Sequence, residues 1–126
     1  MWFPYSTISP LSKTMILSQN AQLDKRWEIY IAVLFFTKEL KLLYVAPESL
    51  SYLENVLNEQ YISCIAIDEA HCISSWGHDF RPSYQQLGFL KKQLPNTPII
   101  ALTATADKAT RKDILEQLAI PEATLF

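Results

Sequence analysis

The sequence predicts an α/β domain in which helices flank a parallel β-sheet. Short apolar segments alternate with longer segments whose apolar residues recur at helical spacing, and this alternation is typical of parallel sheets. The short segments are apolar nearly throughout, as expected for strands covered on both faces. The chain has 126 residues, enough for one domain, and 49% hydrophobic with 19% charged residues supports a packed core.

Three strand–helix pairs are predicted from residue 41 onward. The strands are the segments KLLYVA (41–46), ISCIAI (62–67) and IIALTA (99–104). The helices that follow them are predicted over residues 47–58, 84–94 and 108–120. Pro47 suits the first turn of a helix, where its missing N–H would be unpaired anyway. Asp107 is suited to cap the last helix, and Pro121 ends it.

The first 39 residues give a weaker pattern. WFPYSTIS is a poor strand candidate, and residues 24–36 are predicted to form a helix. Its apolar run, Ile29 to Phe36, is far shorter than the roughly 20 residues that a membrane span needs, so no membrane association is expected. We therefore divide the chain into a divergent N-terminal segment of uncertain fold, residues 1–39, and a domain segment, residues 40–126.

Charge and cysteine content limit the classes of function. The net charge of −2 argues against a stand-alone nucleic-acid-binding module, which is usually basic. A local site stays open, because Arg81 and the basic residues at 108–112 could each contact phosphates or simply be solvated. Cys64 and Cys72 lack C-x-x-C spacing, which predicts buried, reduced thiols in a cytoplasmic protein.

An acidic pair, Asp68 and Glu69, ends the second predicted strand. An aspartate there can hold Mg²⁺ through water beside a nucleotide phosphate, and the adjacent glutamate can deprotonate the attacking water. The alternative is that Asp68 merely caps a short helix starting near Ala70. Thr103 lies at the end of the next strand, and ligands bind at such carboxyl ends. We therefore expect Asp68 and Thr103 to converge on one site.

The loop after the acidic pair combines histidine, arginine and large aromatic residues. Bases stack on aromatic rings without sequence preference, and an arginine such as Arg81 adds charge and cation–π contact. The alternative for Trp76 and Phe80 is ordinary core packing. Tyr84 belongs either to this loop or to the next helix. The spacing of four potential metal ligands matches no common zinc pattern: His71, Cys72, His78 and Asp79.

DEAH (68–71) and LTATA (102–106) together resemble motifs II and III of the helicases built on RecA-like domains. AIDEAHCISSWGHDFRPSY (66–84) and YVAPESL (44–50) resemble the RecQ family of DNA helicases, which carries an aromatic-rich loop directly after motif II. The resemblance covers residues 40 to about 120. It implies a partial RecA-like domain of the P-loop NTPase type. For the family it implies ATP hydrolysis with Mg²⁺ that drives 3′-to-5′ DNA unwinding in recombination and repair.

The resemblance also implies roles for individual residues. Asp68 would coordinate Mg²⁺ through water, Glu69 would activate the attacking water, and His71 would link the ATP site to the loop. Thr103 and Thr105 would couple hydrolysis to movement. Four loop residues would sense single-stranded DNA: Trp76, His78, Phe80 and Arg81.

The family's phosphate-binding loop, G-x-x-x-x-G-K-[ST], has no counterpart in the chain. The only glycines, Gly77 and Gly88, lie downstream of the acidic pair. Residues 12–14, Ser-Lys-Thr, match the end of that loop, but without glycines the backbone N–H groups cannot wrap a phosphate. We therefore expect a fragment of a RecQ-type helicase that alone binds ATP and Mg²⁺ poorly and neither hydrolyses ATP nor unwinds DNA.

Two other classes of function stay open at the level of sequence. The chain could be a binding module that grips single-stranded DNA or docks on another chain supplying the missing helicase parts. It could also be an unrelated ATPase that shares only the DEAH box. Self-association is a further expectation, because a RecA-like sheet that lacks its first strand leaves apolar surface and a strand edge uncovered.

Overall fold

The structure, a computed structural model, describes residues 13–17 and 25–126. The chain divides into two compact units, residues 1–57 and 58–126. The predicted boundary after residue 39 falls within the first unit, and the assignment of residues 1–39 and 40–126 stays a prediction. The weak strand candidate WFPYSTIS and Ser12 of the Ser-Lys-Thr triplet lie outside the described residues.

The first unit contains a parallel strand pair connected through a helix. Strand β1 (Lys13–Leu17) pairs with strand β2 (Leu40–Val45), and helix α1 (Lys25–Phe36) lies between them in the chain. The predicted helix over residues 24–36 and the strand over 41–46 are thereby confirmed to within a residue. Helix α1 ends where Lys38 adopts a left-handed conformation, with φ of 57°, and the N–H of Glu39 bonds back to the carbonyl of Leu34.

The helix predicted over residues 47–58 is shorter and tighter than expected. The structure has a 3₁₀ helix over Pro47–Leu53, with Pro47 in its first turn as predicted. Leu50 and Leu53 are buried. Their spacing of three residues fits the 3.0 residues per turn of a 3₁₀ helix as well as an α-helix, so the apolar pattern alone did not separate the two.

The second unit contains another parallel strand pair. Strands β3 (Ile65–Ile67) and β4 (Ile99–Ala101) pair in register, Ile65 with Ile99 and Ile67 with Ala101. Two backbone hydrogen bonds continue the pairing beyond both strands: Leu102 donates to Ile67 at 2.8 Å, and Ala70 donates to Leu102 at 2.9 Å. The regular strands are shorter than the predicted segments 62–67 and 99–104, but they lie within them and run parallel as predicted.

In the second unit, helices α2 (Pro82–Gln85) and α4 (Lys108–Gln117) pack against a 3₁₀ helix over Ala70–Ile73. Helix α2, a 3₁₀ turn (Gln86–Gly88) and helix α3 (Phe89–Gln93) follow one another without a break, which confirms a helical segment close to the predicted 84–94. Helix α4 is capped by Asp107, as predicted. The buried core of this unit includes Ile73 from the 3₁₀ helix over Ala70–Ile73 and residues in or next to the later helical segments: Leu87, Leu90, Leu94, Ile114 and Leu118.

Gly88 lies where the helical segment approaches the end of α4 most closely. A Cβ atom on Gly88 would lie 2.7 Å from the carbonyl oxygen of Gln117, well inside van der Waals contact. Its backbone has φ of −58°, an ordinary helical value. The position therefore needs glycine because of the close approach and not because of its backbone conformation.

The predicted coverage of the strands on both faces is wrong for β3 and β4. Ala66, Ile100 and Leu102 are exposed, and Leu102 retains 49% of its accessible surface. Cys64 is also exposed and precedes the first residue of β3, whereas Cys72 is buried, so only one of the two predicted buried thiols is confirmed. None of the helices in residues 25–126 is long and apolar enough to cross a membrane.

Candidate functional site

The acidic pair forms a tight turn at the carboxyl end of β3. The N–H of Glu69 donates to Asp68 Oδ1 at 2.9 Å, and Glu69 adopts a left-handed conformation with φ of 52°. A non-glycine residue in that region carries backbone strain, which surrounding structure must support. The turn leads into a 3₁₀ helix over Ala70–Ile73 and leaves both carboxylates exposed.

The alternative role of Asp68 as a helix cap is not what the structure contains. The residue at the cap position of the 3₁₀ helix is Glu69, and no side chain caps it. The N–H of Ala70 donates instead to the carbonyl of Leu102. Among residues 25–126, the carboxylate of Asp68 accepts a hydrogen bond from the N–H of Glu69, within the acidic turn itself.

His71 joins three segments of the second unit. Its Nδ1 atom lies 2.7 Å from Thr103 Oγ1 and 3.4 Å from Glu69 Oε2, and its Nε2 atom lies 3.5 Å from Asp79 Oδ2. Only 12% of the imidazole is exposed. Thr103 Oγ1 also accepts from the N–H of Thr105 at 3.3 Å. The ends of β3 and β4 therefore converge, as predicted, and the imidazole adds a side-chain contact to the backbone bonds between them.

The aromatic loop, defined as residues 75–81, presents its tryptophan to solvent. Trp76 retains 81% of its accessible surface, so ordinary core packing is wrong for this residue. His78 is also highly exposed and lies 3.6 Å from Asp79 Oδ2. Phe80 is half-buried. The loop returns to the core where the N–H of Arg81 donates to the carbonyl of Cys72 at 2.8 Å.

Tyr84 connects the end of the aromatic loop with the acidic turn. It lies in α2, where it is buried, and its hydroxyl donates to the carbonyl oxygen of Asp68 at 3.3 Å. Burial raises the pKa of the phenol, so the neutral donor form is favoured. The guanidinium of Arg81 lies 5.8 Å from the centre of the ring, within cation–π range.

Sequence reasoning left Tyr84 between the loop and the helix and gave no role to Asp79 or Ser74. Asp79 contacts both histidines of the segment, His71 and His78. Ser74 is completely buried and donates to Asp113 at 2.7 Å. A serine among polar loop residues carries no signal of burial, since its partner is 39 residues away in the chain. Cys72 next to this cluster is also buried, which raises the pKa of its thiol.

Comparison with known proteins decides the family. A family model of the DEAD/DEAH box helicases matches residues 6–114. The chain is 59% identical over 89 residues to the ATP-dependent DNA helicase RecQ of Pasteurella multocida. This match covers 69% of this chain and 14% of that protein. It is 42% identical over 123 residues to the ATP-dependent DNA helicase Q-like 2 of Arabidopsis thaliana, which covers 92% of this chain and 17% of that protein. This chain belongs to the RecQ family of DEAD/DEAH box helicases.

A third relative also matches most of the chain. The ATP-dependent DNA helicase RecQ of Haemophilus influenzae is 47% identical over 111 residues, 86% of this chain and 16% of that protein. The chain thus spans about one sixth of the length of these relatives. Its α/β architecture is part of a RecA-like helicase domain. RecQ membership rejects the hypothesis of an unrelated ATPase that shares only the DEAH box.

The donor set of the acidic turn fits a magnesium ion in this RecQ-family chain. Mg²⁺ prefers carboxylate oxygens and is usually bound by one or two of them together with water and substrate phosphates. Asp68 and Glu69 provide two exposed carboxylates at the end of a parallel strand. The sequence supplies no comparable cradle for the phosphates, because both glycines of the chain lie downstream of this turn.

Proposed function

We propose that residues 40–126 form the back half of the first RecA-like domain of a 3′-to-5′ DNA helicase and couple its ATP site to single-stranded DNA. The supporting observation is the position of His71, which contacts Glu69, Thr103 and Asp79 at once. Asp79 lies in the aromatic loop and Glu69 in the acidic turn. A change at either place therefore changes the partners of one nearly buried imidazole.

The nucleotide side of the proposed function rests on the acidic turn. Asp68 would hold Mg²⁺ through water, and Glu69 would take the proton from the attacking water. Bound magnesium supplies charge neutralisation for the phosphates. Glu69 lies 3.4 Å from the imidazole of His71, so the orientation of this carboxylate depends on the same imidazole that contacts Thr103. Thr105 joins the network through its backbone N–H.

The DNA side of the proposed function rests on the aromatic loop. Trp76 offers an open ring on which a base can stack, and His78 and Arg81 are exposed residues of the same loop. Phe80 is half-buried and would hold the loop against the rest of the second unit. Arg81 contacts the ring of Tyr84, which donates to Asp68, so DNA held by Arg81 would act on the acidic turn by a second route.

We expect residues 1–126 alone neither to hydrolyse ATP nor to unwind DNA, because no glycine-rich loop is available to bind the phosphates. ATP turnover by the purified chain, with and without single-stranded DNA, tests this expectation. Wild-type and Glu69→Gln proteins should be indistinguishable from background. DNA-dependent turnover that Glu69→Gln abolishes would overturn it.

A second candidate function is a DNA-binding or partner-binding module without ATPase activity, which the exposure of Trp76 favours. Anisotropy titration of a labelled oligothymidine tests the loop with Trp76→Ala and Arg81→Ala. We expect about tenfold weaker binding for Trp76→Ala, since stacking contributes roughly 1–3 kcal/mol per base. Tyr52→Ala removes another exposed aromatic ring and Lys41→Ala another exposed cation, and both should bind as the wild type does. Affinity unchanged by both loop variants would contradict a DNA-binding loop.

Other copies or chains are proposed partners as well. The exposed apolar residues Phe36, Ile100 and Leu102 support self-association or docking of a chain that carries the remaining helicase parts. Light scattering after size-exclusion chromatography at graded concentrations tests self-association, and a mass that stays near that of one chain would contradict it.

The free cysteines Cys64 and Cys72 support a cytoplasmic compartment.

A further inference from the structure

Ser74 fixes the point at which the aromatic loop leaves the core. It is completely buried, and its hydroxyl donates to Asp113 Oδ2 at 2.7 Å while accepting from the N–H of Trp76 at 3.3 Å. Its own N–H donates to the carbonyl of His71, and its carbonyl accepts from the N–H of Gly77, both at 3.2 Å. One residue therefore binds the preceding 3₁₀ helix, the first turn of the loop and a distant carboxylate.

Asp113, which accepts from the Ser74 hydroxyl, is itself held within helix α4. It lies on α4, half-buried, between the buried residues Thr110 and Ile114. Its second oxygen, Oδ1, accepts from the side-chain amide of Gln117 at 3.4 Å. A hydroxyl that donates to a carboxylate at 2.7 Å makes a charge-assisted hydrogen bond, which is stronger than one between neutral groups.

The 3₁₀ helix at Ala70–Ile73 is thus attached at both of its ends to a single stretch of chain. At one end His71 contacts Thr103, and at the other Ser74 contacts Asp113. The stretch from Thr103 to Asp113 includes Asp107, which caps α4, so one continuous segment of backbone carries both contacts.

We propose that Ser74 and Asp113 are positioning residues that hold Trp76 in place for a base and relay movement of the 103–113 stretch to the aromatic loop. The proposal rests on the proposed function, because it takes the loop to be the surface that contacts single-stranded DNA. Neither residue contacts DNA itself. Ser74 and Asp113 act through the N–H of Trp76 and the turn closed by Gly77.

The first test measures the mobility of Trp76 without DNA. The chain has three tryptophans, so Trp2→Phe and Trp27→Phe leave Trp76 as the only indole. In that background Ser74→Ala and Asp113→Ala should lower the fluorescence anisotropy of Trp76. Asp113→Asn should restore it, because the amide oxygen can accept from the serine hydroxyl. Gln117→Ala is the matched control, since it removes the partner of the other carboxylate oxygen.

Circular dichroism of each variant shows whether it is folded, so that a loss of Trp76 anisotropy is not mistaken for unfolding. If a single variant unfolds, the double variant Ser74→Ala/Asp113→Ala replaces it, because it removes both members of the Ser74–Asp113 bond and leaves neither without the other. Folded variants whose Trp76 anisotropy equals that of the parent would overturn the proposal. A double variant that loses no more anisotropy than Ser74→Ala alone would support it, since Asp113 then acts through Ser74.

The second test measures affinity for a labelled oligothymidine in the otherwise wild-type chain. Ser74→Ala and Asp113→Ala should weaken binding about threefold to tenfold, as loss of one hydrogen bond to a charged group allows, with Asp113→Asn near the wild type. If Trp76→Ala weakens binding but these variants do not, the positioning proposal is overturned and the proposed function stands. If Trp76→Ala itself has no effect, the proposed function fails, and the anisotropy of Trp76 still decides the positioning role.

Discussion

His71 Nδ1 and Thr103 Oγ1 lie 2.7 Å apart although 32 residues separate them in the chain. The contact exists because β3 and β4 are paired in parallel and both end at the same edge, where Leu102 bonds to Ile67 and Ala70. The imidazole is the side-chain contact between the two strand ends, and it also reaches the acidic turn and the aromatic loop. The variants below test that contact and the packing around it.

Replacing Thr103 by valine removes the hydroxyl and leaves the shape of the side chain nearly unchanged. We expect Thr103→Val to lower the free energy of unfolding by about 0.5–1 kcal/mol, because the bond to His71 is lost at a partly exposed position. Urea denaturation followed by circular dichroism measures this change. Thr103→Ser keeps the hydroxyl and should be nearly neutral. Thr105→Val is the matched control, since Thr105 donates to the cluster through its backbone N–H. A Thr103→Val protein as stable as the wild type would show that the contact contributes nothing.

Gly88 and Gly77 form a matched pair for a packing test. A Cβ atom on Gly88 would lie 2.7 Å from the backbone oxygen of Gln117, which cannot move without shifting α4. We expect Gly88→Ala to destabilise the protein by roughly 1–3 kcal/mol, as overpacking does. At Gly77 the nearest atoms would lie at 3.5 and 3.6 Å, ordinary contact distances. Gly77→Ala should therefore stay within about 0.5 kcal/mol of the wild type in the same urea titration. Equal effects of the two substitutions would contradict the observed packing.

Asp107 predicts a pH dependence of stability. Its carboxylate accepts from the backbone N–H of Thr110 at 2.7 Å, and this bond, followed by the Thr110 hydroxyl, lowers the pKa of Asp107. A carboxyl whose pKa is lower in the folded chain stabilises the fold above its unfolded pKa, and that stability is lost as pH falls through the folded value. Asp107→Ala should therefore lower the melting temperature at pH 7, and the difference should shrink below about pH 4.

The Asp107→Asn variant distinguishes the effect of the capping hydrogen bond on stability from the effect of the carboxylate charge. Asparagine caps helices about as well as aspartate but does not titrate, so this variant should melt near the wild type at pH 7. Its stability should fall less than that of the wild type between about pH 5 and pH 3. A wild-type minus Asp107→Ala difference that stays constant from neutral to acid pH would contradict the role of the charged cap.

The two thiols should react at different rates. Cys64 is exposed, whereas Cys72 is buried and its pKa is raised by that burial. Because the thiolate is the reactive form, we expect Cys72 to react with Ellman's reagent at least roughly tenfold more slowly than Cys64 at pH 8. Cys64→Ser should remove the fast phase, and urea should make both cysteines react at one rate. Two equally fast thiols in the folded protein would contradict the burial of Cys72.

Local patterns in the sequence predicted the elements whose cause is local. Helix α1 was predicted over residues 24–36 in spite of its continuous apolar run, and the cap at Asp107 follows from a residue type that binds free N–H groups two or three positions ahead. The order of strands and helices predicted the parallel pairing of β3 with β4. The DEAH turn and the aromatic residues resemble the RecQ family, and the comparisons confirm that the chain belongs to it.

The tertiary structure decided what depends on distant partners. The exposure of Cys64 and Ile100 follows from which surfaces other elements cover, and an apolar segment looks the same in sequence whether one or both of its faces are covered. The apolar pattern of residues 47–53 could not predict their 3₁₀ form either, since a spacing of three residues fits both a 3₁₀ helix and an α-helix.

By itself the sequence determined the family, the order of elements and the position of the acidic turn, because those depend on residue types within a few positions of each other. Only the tertiary structure brought Ser74 to Asp113 and Tyr84 to the carbonyl of Asp68. Partners of this kind lie 39 and 16 residues apart. Their contact is set by how the strand pair and helices pack, since a polar side chain forms such a bond only where the fold places an acceptor within reach.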